Sequence, residues 1–278
     1  MTIITVGVSG SASEHPALDW AAERALATGA TLDIVHVIDV SWGAASPEFI
    51  ETAMLEAEQN LHALETRMTE RHPGLRASSA LRVGAPVAEL VAASEKSDLL
   101  VIGSHRARPQ AEHAGSRRPA RIAAAAACSV VVIPADRGSV GRGIVVGVDG
   151  SAASDAAVAF AAKEADRVQE PLSVIYSWYA PEPWAGSSVA FLWPGEPRDE
   201  DRLIIAEAIA GLAEDYPDLE IDSDVVLDDP ANALLNASSH ARLLVVGNRG
   251  RHGLSKALLG SVSENVVWGL RSPVAVIR

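Results

Sequence analysis

With 278 residues, 48% of them apolar and 21% charged, the chain is long enough for two ordinary domains, and its composition excludes disordered, collagen-like and low-complexity classes. A net charge of −13 argues against binding to a nucleic-acid backbone as the main activity. The single cysteine, Cys128, cannot form an internal disulfide or a cysteine-based zinc site, which fits a reducing compartment and makes the cytoplasm the expected location.

The chain opens Met1-Thr2-Ile3-Ile4-Thr5-Val6-Gly7-Val8, with no basic start and no long apolar run, so it does not read as a signal peptide. Nor do 18 uninterrupted apolar residues occur anywhere; the tract Ile122 to Cys128 is too short to span a bilayer, and no membrane role is expected. Strands are predicted near 2–8, 31–38, 76–83, 98–103 and 129–133, where β-branched runs are short and apolar. Charges alternating over 48–76 predict a helix with a solvated face. Pro134 to Arg142, rich in Pro and Gly, reads as a linker. Beyond it the order starts again: strands at 142–149, 171–178, 220–227, 242–247 and 273–278, helices near 152–168, 199–214, 230–240 and 261–270. Ser151 or Ser154 is expected to cap the first of these helices, and Pro230 to open the third. Between them, 180–198 is a long Pro- and Gly-containing segment. Trp178, Trp184 and Trp193 in or beside it could cover a pocket or an interface, or simply pack.

The second half therefore repeats the first. Val6-Gly7-Val8-Ser9-Gly10-Ser11 returns as Val146-Gly147-Val148-Asp149-Gly150-Ser151, Leu99-Leu100-Val101-Ile102-Gly103 as Leu243-Leu244-Val245-Val246-Gly247, and Gly115-Ser116 as Gly260-Ser261. A period near 140 is far beyond the roughly 20 to 50 residues of a solenoid repeat, so this is a duplicated domain, with copies at 1–136 and 142–278. Strand and helix alternate in each copy, predicting an α/β fold: two tandem doubly wound domains, each a mostly parallel five-stranded sheet flanked by helices.

The sharpest chemical signal is Gly247-Asn248-Arg249-Gly250, nine residues, then Gly260-Ser261-Val262-Ser263. It leaves an apolar strand and enters a helix, the context in which glycine spacing carries meaning. Gly247 and Gly250 allow close backbone approach, and the first amides of the helix at Ser261 favour an anion, phosphate above all. Ser261 and Ser263 add hydroxyls; Arg249, Arg251, His252 and Lys256 add local positive charge. Asp149 ends its strand, reading equally as an Asx turn or as a carboxylate for ribose hydroxyls or a divalent metal.

These residues resemble the universal stress protein family in its tandem form, over nearly the whole chain. The resemblance implies a strand order 3-2-1-4-5 in each domain, ATP at the carboxyl ends of strands one and four, and pairing of the two domains through their last strands; Mg²⁺ is expected as the companion of ATP. It assigns Asp149 to the ribose and the backbone of Ser177 to the adenine. Gly247, Arg249, Gly250, Gly260, Ser261, Val262 and Ser263 would surround ribose and phosphates, with Gly147 beneath. Copy one departs from the pattern: Ser9 replaces the aspartate, Arg106 the second glycine, and the following spacer is eight residues. A weak or empty site is expected there, or an anion held differently by Arg106, Arg108, Arg117 and Arg118.

There is no Gly-x4-Gly-Lys-Ser/Thr loop, no strand-to-helix Gly-x-Gly-x-x-Gly and no Gly-x-Ser-x-Gly elbow. His105 and His113 lack the partners a metal site needs. The expectation is an ATP-binding stress-response regulator or sensor, not an enzyme beyond slow ATP hydrolysis, with a regulatory protein partner and a homodimer as further associations. The alternatives are an ATP-pyrophosphatase or adenylating enzyme of related fold, and a partner-binding scaffold whose nucleotide site is vestigial.

Overall fold

Short runs of Val, Ile and Leu flanked by polar turns form the inner strands, which are buried on both faces because helices cover the two sides of a parallel sheet. The computed structural model describes residues 2–9, 16–41, 47–104, 117–135, 141–178, 199–251 and 258–278. Contacts divide the chain into two compact units, the first comprising residues 1–138 with 257–259 and the second residues 139–256 with 260–278.

The first unit runs β1 (Ile3–Val8), α1 (Pro16–Thr28), β2 (Thr31–Asp39), α2 (Pro47–Arg71), β3 (Arg76–Gly84), α3 (Pro86–Ser94), β4 (Leu99–Ser104), α4 (Arg117–Ala125) and β5 (Ser129–Pro134). Its strands pair in parallel in the order β3-β2-β1-β4-β5. The second unit runs β6 (Ile144–Val148), α5 (Ala152–Val168), β7 (Leu172–Trp178), α6 (Asp199–Ile209), α7 (Leu212–Asp215), β8 (Ile221–Leu227), α8 (Pro230–Ala237), β9 (Leu243–Gly247), α9 (Ser261–Gly269) and β10 (Val274–Ile277). Its parallel order is β8-β7-β6-β9-β10, the same winding. Both sheets thus have the expected 3-2-1-4-5 order.

In each unit the central strands hold the core: Val6, Leu100 and Val101 in one, Val146, Leu244 and Val245 in the other, all without solvent contact. Small residues face them from the helices. Ala21, Ala22 and Ala25 of α1 and Ala157, Ala161, Ala162 and Ala165 of α5 are fully buried, so these helices lie close on the strands while alanine keeps helix propensity high.

Local chemistry sets the ends. The Ser151 hydroxyl accepts the Ser154 N–H at 3.2 Å and caps α5, while the Ser154 hydroxyl donates back to the Ser151 carbonyl. Pro230 occupies the first turn of α8 as expected, and Asp229 caps that helix by accepting the Ala231 and Asn232 amides. Two helix expectations change. The single helix expected at 199–214 is divided into α6 and α7, because Gly211 adopts φ +82° between them. The helix expected over 48–76 ends at Arg71, with Gly74 at φ +93° turning the chain into β3. The segment 180–198 with Trp184 and Trp193, the loop holding His105, Arg106, Arg108, His113, Gly115 and Ser116, most of the linker, and His252 and Lys256 lie outside the described residues. Among the described residues no helix is long and apolar enough to cross a membrane.

Candidate functional site

In the second unit β6 is followed by a crossover toward β7 and β9 by one toward β10, so chains leave in opposite directions at their carboxyl ends, the place where a doubly wound sheet opens a crevice. β6 stays paired with β9 only through Val146 and Val245. Above that level the crevice is bordered by the strand ends, the loop after Gly247 and the start of α9.

Gly247 is buried, and a Cβ there would stand 2.8 Å from the carbonyl oxygen of Ala153. The first turn of α5 presses directly on this strand end, and only a glycine leaves room for it. Asn248 then ties the loop at both ends: its amide donates to the Ile277 carbonyl at 2.8 Å and its carbonyl accepts the Gly260 amide at 2.9 Å. The two limbs cross so closely that a Cβ on Gly260 would be 3.3 Å from the Arg249 Cα. Arg249 itself is half-buried beside this crossing.

Asp149, just past β6, uses both carboxylate oxygens. Oδ1 accepts the Ser151 amide at 3.0 Å, which is the Asx turn; Oδ2 accepts the Arg251 amide at 3.1 Å and binds the glycine loop. Gly250 lies so near that its Cβ would be 2.6 Å from the same Oδ2, and Gly150, at φ +73°, would place a Cβ 2.6 Å from the Arg251 guanidinium. Asp149, Gly250 and Arg251, distant in sequence, therefore form one corner of the crevice. Each carboxylate oxygen has a further lone pair able to accept a hydroxyl.

On the opposite border, β6 ends opposite Tyr176, so from Ser177 onward β7 has a strand neighbour only on its β8 side, where Ser177 lies opposite Val226. The Ser177 hydroxyl donates to the Asp228 carbonyl at 2.6 Å, leaving backbone as its means of contacting anything in the crevice. Tyr176 donates its hydroxyl to Asp201 Oδ1 at 2.9 Å and so fastens the first turn of α6 to the sheet. Burial raises this phenol above the ordinary tyrosine range. The bond to Asp201 and the charges of Asp201 and Asp149 add to the shift, and Arg251 opposes it.

α9 begins at Ser261 with Gly260 at its N-cap and no side chain capping it. The first helical bond runs from the Glu264 amide to the Gly260 carbonyl, so the amides of Ser261, Val262 and Ser263 precede the helical ladder. Ser261 is exposed. Ser263 is not: buried at 4% exposure, it donates its hydroxyl to the Gly247 carbonyl at 2.6 Å, so that hydroxyl fastens helix to strand and only the amide remains for a ligand. Gly147 also has a packing reason. A Cβ there would meet Leu234 of α8 at 2.8 Å, as a Cβ on Gly7 would meet Leu90 at 3.1 Å in the first unit.

The structure thus gathers Asp149, Gly247, Arg249, Gly250, Gly260, Ser261, Val262 and Ser263 around one crevice, with Ser177 on its far border and Gly147 packed beneath against α8. Asn248, Tyr176 and Asp201 join them without having been singled out in the sequence. Asn248 acts through its backbone, which leaves no side-chain signal, while the acidic first turn of α6 was a signal for Asp201. Among the described residues no cluster of His, Cys, Asp or Glu suited to a metal ion is present.

The chain matches the model of the universal stress protein family twice, over residues 1–134 and 142–278. It is 31% identical to a universal stress protein of Mycobacterium bovis, over 99% of this chain and 96% of the relative. With a second universal stress protein, from Mycobacterium tuberculosis, it shares 32% identity over the same proportions. A solved universal stress protein from Archaeoglobus fulgidus superposes with a TM-score of 0.70 at 20% identity, covering 99% of this chain and 96% of that one.

Proposed function

Because the chain belongs to the universal stress protein family in tandem form, we propose that it is an ATP-binding regulator whose nucleotide sits in the β6–β9 crevice of the second unit. The observation that carries this reading is the meeting, at one crevice, of the Asp149 carboxylate with a helix start that no side chain caps. The Asp149 oxygens accept ribose hydroxyls through their remaining lone pairs, and the backbone of Ser177 meets the adenine. The amides of Ser261, Val262 and Ser263 and the positive end of the α9 dipole receive the phosphates. Charge-assisted hydrogen bonds contribute about 1.5 to 3 kcal/mol each. Three to five of them, less the cost of immobilising the ligand, give micromolar binding, about 8 kcal/mol.

Mg²⁺ would accompany ATP as its counter-ion, held mainly by the phosphates. The role is binding and not catalysis: both Asp149 oxygens hold backbone amides, so this carboxylate is poorly suited to activate water, and any hydrolysis is slow. Nucleotide occupancy then biases the loop between Gly247 and Gly260, and with it a regulatory protein partner in the cytoplasm.

Equilibrium dialysis of the purified chain against ATP and Mg²⁺ tests the site. Binding is expected, and Asp149→Ala or Gly250→Val is expected to weaken it at least tenfold. Binding unchanged by both variants rejects the assignment. A second reading, a partner-binding scaffold with a vestigial site, draws on the packing reasons found for Gly147 and Gly247, which need no ligand. Protein indifferent to every adenine nucleotide yet holding a stable partner favours that scaffold.

A further inference from the structure

Tyr176 and His36 hold equivalent places, each lying opposite the last residue of its unit's first strand, Val148 and Val8. Their chemistry differs. The His36 ring stays within the sheet, Nδ1 lying 2.9 Å from the Val8 carbonyl, whereas the Tyr176 hydroxyl reaches out of the sheet and donates to Asp201 Oδ1 at 2.9 Å. Asp201 stands in the first turn of α6, and Ile204, three residues on, shares its helix face. All three side chains are half-buried. Ile204 reaches the acidic corner of the crevice: its Cγ2 and the Arg251 guanidinium both lie within 3.5 Å of the point where a Cβ on Gly150 would stand. α6 thus backs the Arg251 side chain against Gly150, while the Arg251 amide donates to Asp149 Oδ2 at 3.1 Å. The charges of Arg251 and Asp149 are near enough to act on the Tyr176 hydroxyl itself. A run of neighbours therefore leads from Tyr176 through Asp201, Ile204 and Arg251 to the Asp149 carboxylate.

We propose that Tyr176 is a positioning residue for nucleotide binding: by pinning α6 it holds Arg251 on Gly150 and so keeps the Asp149 carboxylate turned to receive the ribose. This rests on the reading of the crevice as an ATP site and deepens it by naming what fixes its acidic corner. The two bonds of Asp149 are not equally secure. The Ser151 amide is two residues away and stays at hand, whereas the Arg251 amide is 102 residues away and stays only while its loop is held. A carboxylate fixed in advance spares the ligand the cost of ordering it, so loosening α6 weakens binding without removing any group that touches ATP. Tyrosine suits the task, since its ring is rigid and its hydroxyl bond to an ionised acceptor is a strong one.

The test is equilibrium dialysis of the full-length chain against ATP and Mg²⁺, with thermal melting alongside, for wild type, Tyr176→Phe, Asp201→Ala, Tyr176→Phe/Asp201→Ala and Asp201→Asn. Tyr176→Phe and Asp201→Ala are each expected to weaken ATP binding about three- to tenfold, the weight of one side-chain hydrogen bond. The double variant is expected to weaken it no further than either single change, because both remove the same bond. Asp201→Asn, whose amide oxygen still accepts the hydroxyl, is expected to bind as wild type does. Additive losses, an Asp201→Asn chain as weak as Asp201→Ala, or a lowered melting temperature with affinity unchanged overturn the positioning role. Wild type that takes no ATP rejects the nucleotide site and this role with it; wild type that binds ATP no better than Tyr176→Phe rejects the role alone.

Discussion

A methyl group at position 247 would meet the backbone of Ala153 at 2.8 Å, whereas at the matching Gly103 of the first unit the nearest atom is the Ala17 Cβ at 3.9 Å. Backbone cannot swing aside as the end of a side chain can. Gly247→Ala is therefore expected to cost about 1 to 3 kcal/mol in urea denaturation, and Gly103→Ala less than about 0.5 kcal/mol; equal losses would contradict this account of the strand end. The contrast shows what a single sequence hides. Gly247 stands out by its spacing, and that spacing located the crevice, but the need for a glycine there comes from α5, which is nearly a hundred residues away in the chain. The same holds for Asp149. Its Asx turn was legible from Asp149-Gly150-Ser151, because both partners are local, while its bond to the Arg251 amide spans 102 residues and depends on how the loop closes. Ser263 was legible as a polar residue at a helix start, and only the fold reveals that its hydroxyl faces inward.

Among the elements, the amino ends of the second unit's strands are bound by one glutamate. Glu170, just before β7, accepts the Gly143 amide ahead of β6 at 2.6 Å and the Arg242 guanidinium ahead of β9 at 2.6 and 2.9 Å. The hydrogen bond from Arg242 is the main reason its carboxyl lies below the ordinary glutamate range; burial works against it and the Gly143 amide assists. A carboxyl depressed in the folded state stabilises above its unfolded value and loses that contribution as pH falls through the folded one. Wild type should accordingly exceed Glu170→Gln in stability at neutral pH, and the gap should close on acidification below the usual glutamate range, as followed by thermal melting at a series of pH values. A gap independent of pH would assign the effect to packing. The strands themselves were legible to within a residue or two, most of them because they are short apolar runs between polar turns, whereas β3 and β8 carry polar residues and are partly exposed. The break between α6 and α7 was not, since Gly211 inside an otherwise helical pattern reads equally as a tolerated glycine until its φ of +82° is known.

For the whole molecule, duplication followed by divergence is the organising fact. Both units keep the 3-2-1-4-5 sheet and the glycine that admits α3 or α8 beneath β1 or β6, yet only the second keeps an aspartate at its strand end. The repeat was readable because the landmarks fall in the same order. In a protein of net charge −13 a triphosphate is favoured only where backbone amides and local cations outweigh the general field, so the proposed reading expects one nucleotide per chain, in the second unit. Isothermal titration calorimetry of the intact chain with ATP and Mg²⁺ measures this most directly. The expected result is a saturating signal at one ATP per chain, micromolar in affinity and lost in Asp149→Ala; two equivalent sites, or no heat with ATP, ADP or AMP, would contradict it.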